Sequence, residues 1–451
     1  MRSPFRHSAA RREDRPSPKA GVRLVLANLG HLLGGKVAAG AISLVYLVLV
    51  THRLGAADYG VLVLVNAYAV LIGSVLAFSG FHGVVRYGGI ALEGGDAAGF
   101  ARIVRFMAVV ELGCGVVAIL VAAVLAPLIG PKLGWSADTI RIATVYSLAV
   151  IATVRATPQG LLQIAGRFDL IGLHQAVSPL IRLIGALGVW IAGGGLIGFL
   201  TVWLVAAVAE GLAMWGFGLV AWRRLAQGER LRGPWRGAAR QTDGFTRFIL
   251  ITNFDITVRE LAPNLAPLTV GWLLGPAAAG LLALTQRATA LLAQPTVLLS
   301  QASYAVLAGQ VARGELAALR HTVWRSAAIA LAVAVPIMLV LALLGDRLLI
   351  AFGGSSFGGG TMLLILVAAA RTAGLASAPL AAGLTALGLP QRSMAVGLVT
   401  SLALYPLLPA LLWLDGTDGA GWHALLQNVV AIGALAVMFH VDARAPAPVA
   451  A

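Results

Sequence analysis

Cysteine and charged residues are both scarce in this chain. Cys114 is the only cysteine among 451 residues, which excludes an internal disulfide framework and a cysteine-ligated metal cluster. Charged residues make up 11% of the sequence, whereas soluble globular domains carry about 25%. No phosphate-binding loop and no metal-ligand spacing is present. Direct use of ATP and a metal site are therefore disfavoured.

Long runs of apolar residues make up much of the sequence. Hydrophobic residues make up 59% of the chain, above the roughly 45–50% of soluble proteins. About 20 apolar residues of helix span a bilayer core. Twelve stretches are long enough, and they lie near residues 27–50, 61–81, 104–129, 139–161, 170–192, 196–221, 246–272, 277–300, 323–344, 361–386, 394–414 and 420–440. The pattern predicts an all-α polytopic membrane protein with about 12 transmembrane helices.

Arginine and lysine collect in every second gap between these stretches. The two tails and the even-numbered gaps hold 24 Lys and Arg residues, and the odd-numbered gaps hold 4. Positive residues near short loops stay on the cytoplasmic side of a membrane, so we expect both termini to be cytoplasmic. This bias accounts for the net charge of +15, and we expect no nucleic-acid binding.

A short motif occurs once in each half of the chain. Leu54–Gly60 and Leu274–Gly280 both read Leu-Gly-x-Ala-x-x-Gly, 220 residues apart. Transporters built from repeats bind substrate between the halves and alternate access by rocking. The predicted organisation is a disordered basic N-terminal tail (1–22), a first six-helix half (23–222), a basic cytoplasmic linker (223–245), a second six-helix half (246–441) and a C-terminal tail (442–451). We expect two pseudo-symmetric halves around a central cavity.

The first turn and the helix after it resemble a known family. Thr51–Gly60, followed by an apolar helix that ends in Phe81–Tyr87, is similar to the opening of O-antigen-type polysaccharide biosynthesis flippases. These belong to the multidrug/oligosaccharidyl-lipid/polysaccharide exporter superfamily. The turns Leu274–Gly280 and Gly388–Pro390 fit the same pattern.

The resemblance implies a multi-pass flippase of the bacterial cytoplasmic (inner) membrane, not an enzyme. Its cargo would be a polyprenyl-diphosphate-linked oligosaccharide for surface polysaccharide biosynthesis, moved from the inner to the outer leaflet. Its implied shape is a two-lobed, V-shaped bundle with a central cavity. The implied partners are this lipid-linked oligosaccharide, membrane lipids, and the polysaccharide polymerase and glycosyltransferases of the pathway.

Ionisable residues inside the apolar stretches are the candidate site. A charge at bilayer depth is costly and ordinarily marks function. Five cations lie well inside their stretches and are the candidates: Lys36, Arg182, Arg259, Arg287 and Arg371. Cations would replace water around a diphosphate, and arginine offers a two-pronged fork for phosphate oxygens. We predict a cationic substrate-binding cavity; the alternative for each residue is a structural ion pair or a side chain that reaches the interface.

The seventh stretch is the most polar of the twelve. Asn253, Asp255 and Glu260 accompany Arg259 there, and we expect them to line the cavity or take part in ion coupling. Asp255 and Arg259 are four residues apart and share a helix face, so a self-satisfied pair is the alternative. Two prolines, at 263 and 267, predict a kink or break.

Glu111 and Glu210 stand alone in the third and sixth stretches. A desolvated carboxyl can carry a proton through a transport cycle. The alternatives are an arginine partner on a neighbouring helix or a protonated core residue. We expect no cofactor, and coupling to a proton or sodium-ion gradient is compatible with these carboxyls.

Three other function classes stay open. A cation-coupled drug or small-metabolite exporter would favour an acidic cavity, whereas the excess here is basic. A membrane-embedded glycosyltransferase or polymerase usually carries carboxylates or arginine in a large outward loop, and the outward gaps here are short. A membrane scaffold without transport would leave the five cations unexplained.

Overall fold

The computed structural model describes residues 18–238, 244–290 and 306–443. Most of the predicted tails, five residues of the predicted linker (239–243) and the end of the predicted 277–300 helix lie outside these ranges. Within the ranges the regular structure is helical throughout.

Apart from the stretches 226–244 and 289–315, the α-helices numbered α1 to α15 follow one another with short connections. In chain order they are α1 (Pro18–Leu76), α2 (Phe81–Gly83), α3 (Gly89–Glu93), α4 (Ala97–Ile129), α5 (Ala137–Tyr146), α6 (Ala156–Ile164), α7 (Phe168–Ile191), α8 (Leu196–Leu225), α9 (Phe245–Leu274), α10 (Pro276–Ala288), α11 (Leu316–Gly353), α12 (Thr361–Ala386), α13 (Pro390–Ala403), α14 (Leu407–Asp415) and α15 (Asp418–Asp442). A π-helical turn, Val84–Gly88, joins α2 to α3, and a 3₁₀ helix, Ser147–Thr153, follows α5.

Helix is present within each of the twelve predicted stretches. In the described residues, 8 helical runs are long and apolar enough to cross a membrane, and α13 with α14, bent by 51°, makes a ninth. The difference from twelve has three sources. α1 contains two predicted stretches separated at Gly55, α9 carries several charges, and α10 ends close to the limit of the described residues.

Two local predictions about helix breaks need correction. The predicted stretch 139–161 is not one helix, because α5 gives way to the 3₁₀ segment and α6 begins only at Ala156. α9, in contrast, runs from Phe245 to Leu274 without a break although it contains Pro263 and Pro267. Of the predicted kink or break, the break is therefore wrong and the kink stays a prediction, and membrane helices tolerate proline where neighbouring groups satisfy the freed carbonyls.

The two copies of the repeated motif adopt the same backbone conformation. Gly55 has φ 70° and ψ −178°, and Gly275 has φ 89° and ψ 172°. A side chain is disfavoured at such positive φ, which explains glycine at both positions. Each turn redirects the chain between two helices, so the equivalent hairpins of the two halves are built alike.

The last glycines of the two motifs meet where α1 crosses α10. A Cβ on Gly60 would lie 1.7 Å from the carbonyl oxygen of Pro276, and a Cβ on Gly280 would lie 2.5 Å from that of Ala56. Small residues permit this backbone approach between membrane helices. The repeated motif therefore forms a direct contact between the two halves.

The buried core is shared by both halves at one end of the bundle and divided at the other. A single cluster near Gly60 contains Leu62 and Phe199 of the first half together with Leu284 and Leu364 of the second. At the opposite end, which carries the linker, the described residues form two separate clusters, one in the second half and one in the first half that the start of α9 joins. The bundle is thus two-lobed, joined at what we call the Gly60 end and divided at what we call the linker end.

Candidate functional site

Two of the five predicted cations meet at Tyr46, a buried residue of α1. Arg182 of α7 contacts the Tyr46 hydroxyl through Nη1 at 3.5 Å, and its Cζ lies 4.3 Å from the ring centroid of Trp203 on α8. Arg287 of α10 is close enough to Tyr46 and Tyr59 to interact electrostatically with both. We call Tyr46, Arg182, Trp203 and Arg287 the interlobe cluster, because its members come from both halves.

The two arginines of the interlobe cluster keep free donors. Among the described residues no carboxylate forms an ion pair with either guanidinium. The Nε of Arg182 is buried and has no hydrogen-bond partner there, and the side chain of Arg287 is exposed. A buried donor without a partner is costly. The cluster is therefore suited to receive an anion with several acceptor oxygens.

Arg371 lies in a separate place, a cavity of about 560 Å³ inside the second half. The cavity is walled by α9, α10, α12, α13, α14 and α15 and by the segment between α13 and α14. Its polar side chains are Gln286, Arg371, Ser401, Tyr405, His423, Gln427 and Asn428. No carboxylate is among the described residues that line it.

Arg259 and Lys36 do not join either group. Arg259 donates from Nε to Asp255 at 2.9 Å, which is the self-satisfied pair given as the alternative. Glu260 is exposed and lies near Asn264 of its own helix. Lys36 is exposed on α1. In the described residues no hydrogen bond or ion pair links Lys36 or Arg259 to the interlobe cluster, so their predicted substrate contact stays a prediction.

Asn253 connects α9 to the first half. Its Oδ1 accepts from the backbone N–H of Ser79 at 2.6 Å, and its Nδ2 donates to the Ser79 carbonyl at 3.1 Å. Ile249 and Phe245, one turn and two turns earlier on α9, are buried in the core cluster of the first half. The first helix of the second half is thus anchored in the first half at the linker end.

Replacing Asn253 by alanine is expected to lower the apparent melting temperature of the purified protein. The change leaves both backbone groups of Ser79 unpaired, at a cost of about 1–3 kcal/mol for buried groups. Asn264→Ala is the matched control, since Asn264 on the same helix bonds only to Glu260. Equal melting temperatures for the two variants would show that the Ser79 contact does not stabilise the fold.

Glu111 is completely buried and both its oxygens are occupied. They accept from the backbone N–H groups of Ala156 at 2.6 Å and Thr157 at 2.7 Å. These are the first free N–H groups of α6, which a carboxylate stabilises. Sequence reasoning missed this partner, although Pro158 is typical of a helix start and was a signal for it. Ion coupling at Glu111 stays a prediction.

Glu210, at the middle of α8, pairs with an arginine. Such a partner was one of the alternatives to a role in proton transport. The Oε1 atom of Glu210 accepts from Nη1 of Arg155, and its carbonyl oxygen is 3.0 Å from Nε2 of the buried His174. The count of Lys and Arg in the even-numbered gaps includes Arg155, although this residue lies within the predicted stretch 139–161. The structure places it inside the membrane-length helical run Ala137–Ile164, at the start of α6.

Comparisons with known proteins agree with this architecture. The sequence model of a family described as polysaccharide biosynthesis protein matches residues 53–358. The inner membrane protein YghQ of Escherichia coli (strain K12) is 28% identical over 259 residues, which are 57% of this chain and 73% of that protein.

Solved structures with the same fold are transporters. The lipid II flippase MurJ in an inward closed conformation aligns with a TM-score of 0.66 at 13% identity, over 90% of this chain and 86% of that one. A multidrug resistance transporter of the MATE family, MOP superfamily, in an inward-facing conformation gives 0.64 at 13% identity, over 93% and 94%. Vibrio cholerae VcmN in its bent form gives 0.57 at 16% identity, over 94% and 98%. These likenesses establish the fold.

Proposed function

The chain belongs to the polysaccharide biosynthesis protein family, and on that premise we propose that it flips a polyprenyl-diphosphate-linked oligosaccharide across the bacterial inner membrane by alternating access. The observation that carries the proposal is the interlobe cluster. Arg182 and Arg287 come from opposite halves, and neither has a carboxylate partner among the described residues.

A diphosphate fits the chemistry of this cluster. Guanidinium groups hold phosphate oxygens through paired, charge-assisted hydrogen bonds. The Tyr46 hydroxyl, in contact with Arg182, adds a neutral donor beside them. A cationic drug would be repelled by the same groups, so the drug-exporter alternative is disfavoured by their charge.

The divided core supports alternating access with the linker end toward the cytoplasm. The linker residues are rich in arginine, which places them inside by the positive-inside rule. The two halves have separate cores at this end and a shared core at the Gly60 end. In the proposed cycle the cargo head group enters between the halves at the linker end and leaves after the Gly60 contact has opened.

The ion pair between Arg155 and Glu210 is the proposed place of ion coupling. It lies within the first half, with His174 bonded to the backbone of Glu210. Protonation of Glu210, or binding of a sodium ion by it, would release Arg155 and change the packing of α6 against α8. A proton or sodium gradient is the energy source that we propose.

The proposal is tested by flipping of a fluorescent polyprenyl-diphosphate sugar in proteoliposomes. Arg182→Gln and Arg287→Gln are each expected to slow flipping by about tenfold or more, because each removes charged hydrogen bonds worth about 1.5–3 kcal/mol. Arg141→Gln is the control, since Arg141 forms only an exposed pair with Asp138. Unchanged flipping in both variants, with the same amount of protein in the vesicles, would contradict the proposal.

A further inference from the structure

The cavity around Arg371 faces a different side of α10 from the interlobe cluster. Gln286 lines the cavity, whereas the next residue, Arg287, interacts with Tyr46 and Tyr59. Consecutive residues of an α-helix point about 100° apart. The two places are therefore neighbours that share one wall, and a single elongated ligand can occupy both.

The lining of the cavity has the functional groups that recognise sugar hydroxyls. Gln286 makes no side-chain hydrogen bond to any described residue. Asn428 donates from Nδ2 to the Ala424 carbonyl, which leaves its Oδ1 as an acceptor. Ser401 and Tyr405 add hydroxyl groups. The volume of about 560 Å³ lies within the range of about 300–1,000 Å³ found for small-molecule sites.

Arg371 gives the cavity its charge. Its side chain is exposed to the cavity, and within the described parts of the chain it has neither an ion-pair partner nor a hydrogen bond. A cation that lies among neutral amides and hydroxyls, without a carboxylate, is complementary to an anionic group on a polar ligand.

We propose that this cavity binds the glycan of the cargo and selects sugars that carry a carboxylate. The proposal rests on the proposed flippase function and adds the class of sugar. Arg371 pairs with the carboxylate, the amides of Gln286, Gln427 and Asn428 bond to ring hydroxyls, and the diphosphate of the same molecule lies at the interlobe cluster. Arg371 acts here as a specificity-determining residue.

The test compares cellobiouronic acid with cellobiose, two disaccharides that differ only in a carboxylate in place of a hydroxymethyl group. Calorimetry on the purified full-length protein is expected to give about tenfold or tighter binding of cellobiouronic acid, since a hydrogen bond to a charged group is worth about 1.5–3 kcal/mol. Arg371→Gln is expected to remove this preference. Arg371→Lys is expected to keep part of it.

Arg347→Gln is the control, because Arg347 is exposed and lies outside the cavity lining. Equal affinity for the two disaccharides, no binding of either, or an unchanged preference in Arg371→Gln would each overturn the proposal. The flippase function is judged separately by the vesicle assay. Acid-selective binding without any flipping would support the glycan site and contradict the flippase function. Flipping without acid-selective binding would support the flippase function and contradict the glycan site.

Discussion

Gly60→Leu is expected to abolish transport, whereas Gly40→Leu on the same helix leaves it close to that of the wild type. The first Cβ atom at position 60 already falls 1.7 Å from the Pro276 carbonyl oxygen, while a Cβ at position 40 has nothing within 4 Å. Overpacking costs about 1–3 kcal/mol, so the closed contact between α1 and α10 is disfavoured by up to about a hundredfold.

We expect Gly60→Leu to lose transport because the contact between α1 and α10 no longer closes. Accessibility labelling can detect this opening. In a Cys114→Ala background, a cysteine introduced at Ser356, which lies beside Gly55, is expected to react faster with a water-soluble maleimide in Gly60→Leu than in the parent. The same cysteine in Gly40→Leu serves as the reference. If Gly60→Leu transported at the wild-type rate, the glycine contact would not be the closed gate between the halves.

Glu210→Gln and Arg155→Gln are each expected to lower the apparent melting temperature more than the double variant does. Each single change leaves one partner of a partly buried pair without its counter-charge, and the Glu210 side chain is only 20% exposed. Removing one partner of such a pair is strongly destabilising, while replacing both is close to neutral. Both single variants are also expected to stop ion-driven transport, because Glu210 is the proposed coupling group.

The exposed pair of Arg141 and Asp138, with side chains 80% and 66% accessible, provides the comparison for this thermal experiment. Its single variants are expected to change the melting temperature little, since exposed pairs contribute about 0–1 kcal/mol. Additive effects of Arg155→Gln and Glu210→Gln would mean that the two residues are not coupled, and the coupling proposal would then fail.

Apolar length in the sequence predicted most of the helices. Apolar length is a local property that each stretch carries by itself, so the predicted 361–386 coincides with α12. The repeated motif also predicted a real feature, since Gly55 and Gly275 share a backbone conformation. The break at Ala156 was missed, because hydropathy does not distinguish one spanning helix from two short helices joined by a 3₁₀ segment.

The candidate site was only partly accessible to sequence reasoning. Residue type and position identified Arg182 and Arg287 as cations within apolar stretches. Their common neighbour Tyr46 was not predicted, because it is 136 residues from Arg182 along the chain. Which arginine pairs with Glu210 was not predicted, because Arg155 is 55 residues away along the chain. Pairing between distant segments is decided by how helices pack, which no local pattern reports.

The two ends of the bundle differ in how their cores are packed. This difference determines which step of the proposed cycle costs free energy. Opening the Gly60 end separates a core in which Leu62 and Leu284 are fully buried, and exposing such side chains to water costs roughly 1.5–3 kcal/mol for each one. At the linker end the lobes have separate clusters, and the contacts between the halves described there are those of the start of α9. If the chain is the proposed flippase, we therefore expect the empty carrier to open at the linker end, and we expect the proposed ion gradient to supply the free energy that opens the Gly60 end.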